Sequence, residues 1–284
     1  MKREEFEALV ASGHDFRGAE LSGLDLRGAR VPGARLAEAR LLHVKLDDAD
    51  LSGASFEGAV LHGVSLRGAT LAGACLDRAV MPNASLEGAS LTGARLTETV
   101  LTGAKLMSAN CDGATFERTV LREVDASGAT FGTATIRQCA LQGVRLTHAD
   151  LAQATLEELV LERVDLHGAR LPQRFDRVVF ALGAGPKRVI AEGTAAPLVF
   201  DGSDLEGADL RGLDLSGRSF AGCILDRVDL GHASLNGADL RGATLLDANL
   251  EGADLRGATF ARTVLKNARL PQADLSGRDL TLTM

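Results

Sequence analysis

The 284-residue chain has no tryptophan and no tyrosine, and only 10 phenylalanines. Rows of aromatic rings on which single-stranded nucleic acid could stack are therefore excluded. A basic excess is missing too: the net charge is −7 and the pI near 5.4, so direct binding to nucleic acid phosphates is not expected. Proline is scarce at 6 residues against 32 glycines, which suits frequent turns without disordered linkers. No apolar run reaches the length of a membrane span. The charged opening Met1-Lys2-Arg3-Glu4-Glu5 lacks the apolar stretch of a secretory signal. The four cysteines, at 75, 111, 139 and 223, form no Cys-x-x-Cys pair, so reduced thiols are expected. A cytoplasmic location follows as the expectation, with export by a specialised secretion system left open. The nucleophile elbow, the phosphate loop and the His-Glu-x-x-His zinc signature are all absent, so no enzyme, cofactor or metal site is expected.

What the chain does have is a beat of five. From Phe16 to Leu171 a large apolar residue, here called the centre, recurs every five residues: 23 of the 32 centres are Leu and four are Phe, and none is polar. Chance would give such a run about once in 10¹¹ trials at this composition, so the repeat is real. A period of five is not helical. The residue two before each centre is also inward, and spacing of two is that of a strand. From Ala19 to Ala169 that second position is Ala 21 times in 31, which predicts a narrow, packed interior.

A slower modulation sets the number of units per coil. The residue just before the centre should face outward, yet it is Val at 60, 80, 100, 120 and 160, with Ala140 completing the series. Gly33, Gly53, Gly73, Gly93 and Gly113 repeat at twenty as well. Four units per coil explain both series, because residues twenty apart then stack on one side.

Units such as Ala238-Asp239-Leu240-Arg241-Gly242 resemble the pentapeptide repeat family. The resemblance implies an all-β fold: a right-handed, four-sided parallel β-helix, or solenoid, with about one unit per side. It covers residues 14–171, about eight coils, and 203–284, about four coils. At about 4.8 Å per coil the rod would be roughly 60 Å long. Residues 1–13 are expected to form a short capping helix, with Phe6, Leu9 and Val10 on one face and Gly13 closing it. Such a cap is needed because a bare coil end exposes apolar surface and unpaired backbone.

Residues 172–202 break the beat, since Leu171 and Leu205 are out of phase. Two β-rich runs, 177–182 and 187–191, flank Gly183-Ala184-Gly185-Pro186 and predict a hairpin. The insert carries Arg174, Arg177, Lys187 and Arg188 against Asp176 and Glu192, a candidate contact region in an acidic protein. In the second block Arg218 and Arg278 occupy inward positions. A charge there is costly, so a widened corner that leads the guanidinium outside is expected. No capping helix is evident near Met284, which leaves a possible homodimer through the C-terminal coil.

Asp25, Asp50, Asp150, Asp209, Asp214, Asp239 and Asp254 recur just before centres, where a solvated face accounts for them better than acid–base chemistry. His43 and His62 are 19 apart, as are His148 and His167, but no further metal ligands accompany either pair. Cys111, Cys139 and Cys223 are inward, and Cys75 outward.

The column Val60, Val80, Val100, Val120 and Val160, with Leu42 and His43 extending its face, is the candidate partner-binding surface. Strand propensity alone is the competing explanation. The expected function is a non-catalytic scaffold or adaptor for a protein partner. The run from Arg3-Glu4-Glu5 through Asp15-Phe16-Arg17-Gly18-Ala19 to Leu24-Asp25-Leu26-Arg27-Gly28 resembles pentapeptide segments of bacterial type VI secretion accessory proteins. The alternative is DNA mimicry, by which some pentapeptide repeat proteins occupy DNA gyrase, one group of them with an interrupting loop. Charge opposes it: on the face with centres 16 to 156, outward acids exceed arginines by only two.

Overall fold

The computed structural model describes residues 1–166, 169–172, 178–181, 205–207, 210–212 and 215–276. Its lattice can be read from a single unit, Leu51-Ser52-Gly53-Ala54-Ser55. The Leu51 and Gly53 N–H groups donate to the carbonyls of Thr70 and Ala72 on the next coil, each at 2.8 Å, and Ser55 donates back to Ala34 at 2.9 Å. Ala54 closes the turn by donating to Leu51 at 3.0 Å. The fifth donor, Ser52 N–H, is left over by this pattern and goes to the Asp50 carboxylate at 3.1 Å. Every backbone donor of the unit is thus paired, as a buried wall requires.

The turn needs a left-handed backbone at its third residue, the type II requirement. Gly53 supplies it with φ +64 at no steric cost. Elsewhere the same corner position is held by other residues in the same conformation, among them Glu38, His43 and Arg118. Parallel bridges link residues twenty apart throughout both blocks, from Asp15↔Arg35 to Asp254↔Asp274, so four corners make one coil. The centres and the small residues two before them fill one continuous buried core.

Most pairing is by single bridges, but three coils carry true strands. These are β1 (Thr115–Glu117), β2 (Val120–Arg122), β3 (Thr135–Arg137), β4 (Ala140–Gln142), β5 (Thr155–Glu157) and β6 (Val160–Glu162). They stack in parallel as β1-β3-β5 and β2-β4-β6, each step in twenty-residue register. The inner positions Thr119, on the first of these coils, and Thr99, on the coil before it, have hydroxyls that donate to the carbonyls of Leu96 and Leu76. That bond offsets the cost of burying a polar group. Ala126 is the smallest centre of the first block, and a cavity of about 20 Å³ opens beside it, lined in part by Leu106, Phe116, Phe131, Ile136 and Leu146.

The N-terminal helix α1 (Arg3–Ala11) closes the first coil as expected. Phe6 is buried against Phe16, with ring centroids 4.8 Å apart. Glu7 accepts a bond from the Arg30 N–H at 2.8 Å, and Arg3 donates to the Arg27 carbonyl at 3.2 Å. The helix therefore satisfies backbone groups of the open edge as well as covering its apolar interior.

The insert enters differently from a free-standing hairpin. Strand β7 (Val179–Ala181) lies within the first expected run, but it adds in parallel to β6, with Val160↔Val179 in register. The step is 19 residues rather than twenty, so the chain drops one residue and still continues the wall. The second run, 187–191, lies outside the described residues. Arg218 is half-buried, and its Nε is sealed from solvent without a hydrogen bond. Arg278 lies outside the described residues.

Candidate functional site

The side that carries β2, β4, β6 and β7 places the valines in one straight column. Its register runs Arg40↔Val60↔Val80↔Val100↔Val120↔Ala140↔Val160↔Val179. Val80 is 38% exposed, Val120 43% and Val160 46%, while Val60 and Val100 are half-buried. The lattice forces this exposure: the residue before a centre points away from the core whatever its chemistry. Polar residues could occupy the column, as Arg40 and Glu20 do at its N-terminal end, where they form an ion pair at 3.0 Å.

Leu42 is half-buried at the corner beside His43, next to the column rather than in it. The two corners that bound the column are charged. One carries Arg118 with Glu98 at 3.2 Å and Arg137 with Glu117 at 2.8 Å. The other carries Arg163 between Glu123 and Glu162, at 3.8 and 3.7 Å. The result is a narrow apolar strip with polar rims. Val179, in register at its C-terminal end, escaped the sequence reading because the one-residue drop hides its phase. Arg174, Arg177, Lys187 and Arg188 lie outside the described residues.

A second column was also missed. Ile224, 39% exposed, stacks in register with Thr244 and Val264 in the second block. Two aliphatic residues forty apart make no visible series in the sequence, although both stand just before a centre.

The recurring aspartates are more than a solvated face. Asp25, Asp50, Asp125, Asp150, Asp239 and Asp254 each accept the N–H two residues on, the donor that the lattice leaves over. In Asp25, Asp239 and Asp254 an arginine two residues on grips the same carboxylate, and its hydrogen bonds hold each acid down at about 2. Carboxylates so held are poor proton donors. Burial raises the thiols of Cys111 and Cys139 to about 12 and 11, which leaves them inert as nucleophiles. Among the described residues no group of three or more metal-ligating side chains converges. Nor is any helix among them long and apolar enough to cross a membrane.

Acids are also paired between coils. Asp47, Glu98, Glu117, Asp125 and Asp150 each meet an arginine of the next coil, namely Arg67, Arg118, Arg137, Arg145 and Arg170. These acids are thus matched by arginines rather than stacked into an acidic stripe.

The family model for pentapeptide repeats matches the chain in eight copies, together covering residues 15–81, 84–173 and 223–281. No curated protein matches by sequence. Among solved structures the chain is similar to HetL, a pentapeptide repeat protein involved in heterocyst differentiation regulation in the cyanobacterium Nostoc sp. strain PCC 7120. Identity is 25%, with 96% of each chain covered and a TM-score of 0.42. It is also similar to QnrB1, a plasmid-mediated fluoroquinolone resistance protein, at 18% identity, covering 85% of this chain and 91% of that one, with a TM-score of 0.42. A pentapeptide repeat protein from the Arabidopsis thaliana thylakoid lumen shares 28% identity over 49% of this chain and 70% of its own, with a TM-score of 0.14.

Proposed function

Because the chain belongs to the pentapeptide repeat family, whose repeats build a wall rather than a reaction centre, we propose that it is a non-catalytic scaffold that binds a protein partner along its valine column. The observation that carries the reading is the run of outward aliphatic side chains in strict register from Val60 to Val160, with Val80, Val120 and Val160 exposed and charged corners on either side. An apolar core with a polar rim is the anatomy of a protein–protein contact. The basic residues of the insert, Arg174, Arg177, Lys187 and Arg188, are a second candidate contact. The resemblance of residues 3–28 to secretion accessory segments supplies a candidate setting, that of a bacterial type VI secretion system.

The reading includes self-association at the other end of the rod. Leu265, Leu270 and Leu275 are only half-buried in the last described coil, whereas Leu250 and Leu255 are sealed. A homodimer through this end would cover them, and sedimentation equilibrium would show twice the 29.7 kDa chain mass.

The test of the column is the pair Val80→Lys and Val120→Lys. Both side chains already face water, so the circular dichroism spectrum and melting temperature should hardly change. Affinity capture with mass spectrometry should lose the principal partner of the wild type. A folded double variant that retains every partner sinks the proposal. Gyrase mimicry predicts instead that the protein alters gyrase supercoiling. The arginine pairing of the acids weighs against this, and no effect is expected at micromolar protein.

A further inference from the structure

We propose that His43 and His62 form a binding site for a divalent late transition-metal ion, of which zinc and nickel are the probes used below, held by two imidazoles with water filling the remaining positions. The lattice sets the two residues side by side. The His43 N–H donates to the His62 carbonyl at 3.0 Å, so the two backbones are tied across adjacent coils. Their ring centroids lie 5.6 Å apart, with planes tilted by 42°. A metal held by imidazole nitrogens at about 2.1 Å sits roughly 3.2 Å from each ring centre, and a tetrahedral angle then places the two centres about 5 Å apart. The observed spacing is within about 1 Å of that value, and rotation about the side-chain bonds is what brings one nitrogen of each ring to the metal. Among the described residues neither ring has a hydrogen-bond or ion-pair partner to hold it elsewhere.

One glycine makes the approach possible. His43 occupies a corner, with φ 55, and its ring lies over Gly63 on the next coil. A Cβ at residue 63 would stand 2.7 Å from the His43 Nδ1, so the ring would have to leave its present place beside His62. His232 lies over Gly252 in the same manner, so a ring resting on the glycine below is a habit of this corner. The sequence repeats the full device once more: His148, also left-handed with φ 56, is followed 19 and 20 residues later by His167 and Gly168. His167 lies outside the described residues. The site adjoins Leu42, but it does not depend on the valine column binding anything.

The experiment titrates the full chain with zinc chloride, and separately with nickel chloride, by calorimetry and by imidazole proton resonances. The background carries His148→Ala and His167→Ala to remove the second pair, and His14→Ala, His232→Ala and Cys75→Ser to remove the other side chains that could take the metal. His43→Ala and His62→Ala should each weaken binding tenfold or more. Gly63→Ala should weaken it comparably. Gly53→Ala, at the same backbone conformation with open space around the added Cβ, should not. Affinity should fall as the solution is acidified, because protons compete for the ring nitrogens. Three results would overturn the proposal: binding that survives His62→Ala, binding indifferent to Gly63→Ala, or no shift of the two imidazoles at millimolar metal.

Discussion

Asp239 performs three tasks with one carboxylate, one of them to accept the Thr259 hydroxyl of the next coil at 3.0 Å. It accepts the Arg241 N–H at 3.1 Å and is forked by the Arg241 guanidinium at 2.8 and 2.6 Å. Replacing it with Ala hands that backbone donor to water and should cost about 0.5–1.5 kcal/mol, read from urea unfolding. Asn keeps an acceptor for the N–H and loses only the fork, so it should cost less. The pH dependence has a definite sign. The folded acid sits at about 2, below its ordinary 3.8, chiefly because of the Arg241 hydrogen bonds. Its contribution is therefore complete above the unfolded value and disappears as the pH falls from 4 toward 2. The melting-temperature gap between wild type and Asp239→Asn should close over that interval. This role could not be read from the sequence. An outward Asp looks like surface until the turn is built and one of its five donors is found without a carbonyl.

At the scale of the coil, size matching governs. Ala126 takes a place where Leu106 and Leu146 stand on the coils before and after it, and Phe131 fills part of the gap. The remaining 20 Å³ is worth about 0.5 kcal/mol of lost packing. Ala126→Leu alone should overfill the space against Phe131 and cost about 1–2 kcal/mol. Adding Phe131→Leu should restore most of that loss, and a double-mutant cycle in urea would show the coupling. The coil was largely legible beforehand: the five-residue beat gave the inward pattern, and the valine and glycine series gave four sides. The capping helix was legible from Phe6, Leu9 and Val10. The parallel docking of β7 was not, because a one-residue deletion in the beat reads as an end when it is a continuation. The Ile224 column was missed for want of members.

Across the whole molecule, each coil makes its contacts chiefly with the coils on either side. Stability in such an array is close to a sum of neighbour terms, and its ends are its weakest points. The intercoil ion pairs are mostly exposed and add little individually. Raising the salt concentration should therefore leave the melting temperature nearly unchanged, and a drop of many degrees would show that charge, not the apolar stack, holds the coils together. The valine column is legible as a pattern in the sequence, but its exposure and its charged borders required the three-dimensional register.

Helix α1 has a meaning beyond stability. A solenoid whose coils are alike presents at one end the surface that the other end could accept, and head-to-tail joining of that kind does not close on itself. It propagates as a fibre. By lodging Phe6 on the first coil and placing Glu7 on the Arg30 N–H, the helix makes that end unlike every other coil and covers the surface on which such joining would start. Deleting residues 1–13 should let joining at this end compete with the proposed pairing of the C-terminal coils and give species larger than a dimer, whose size rises with concentration, visible by electron microscopy and light scattering. Restoring the helix as a separate peptide should shorten them, as a chain terminator does.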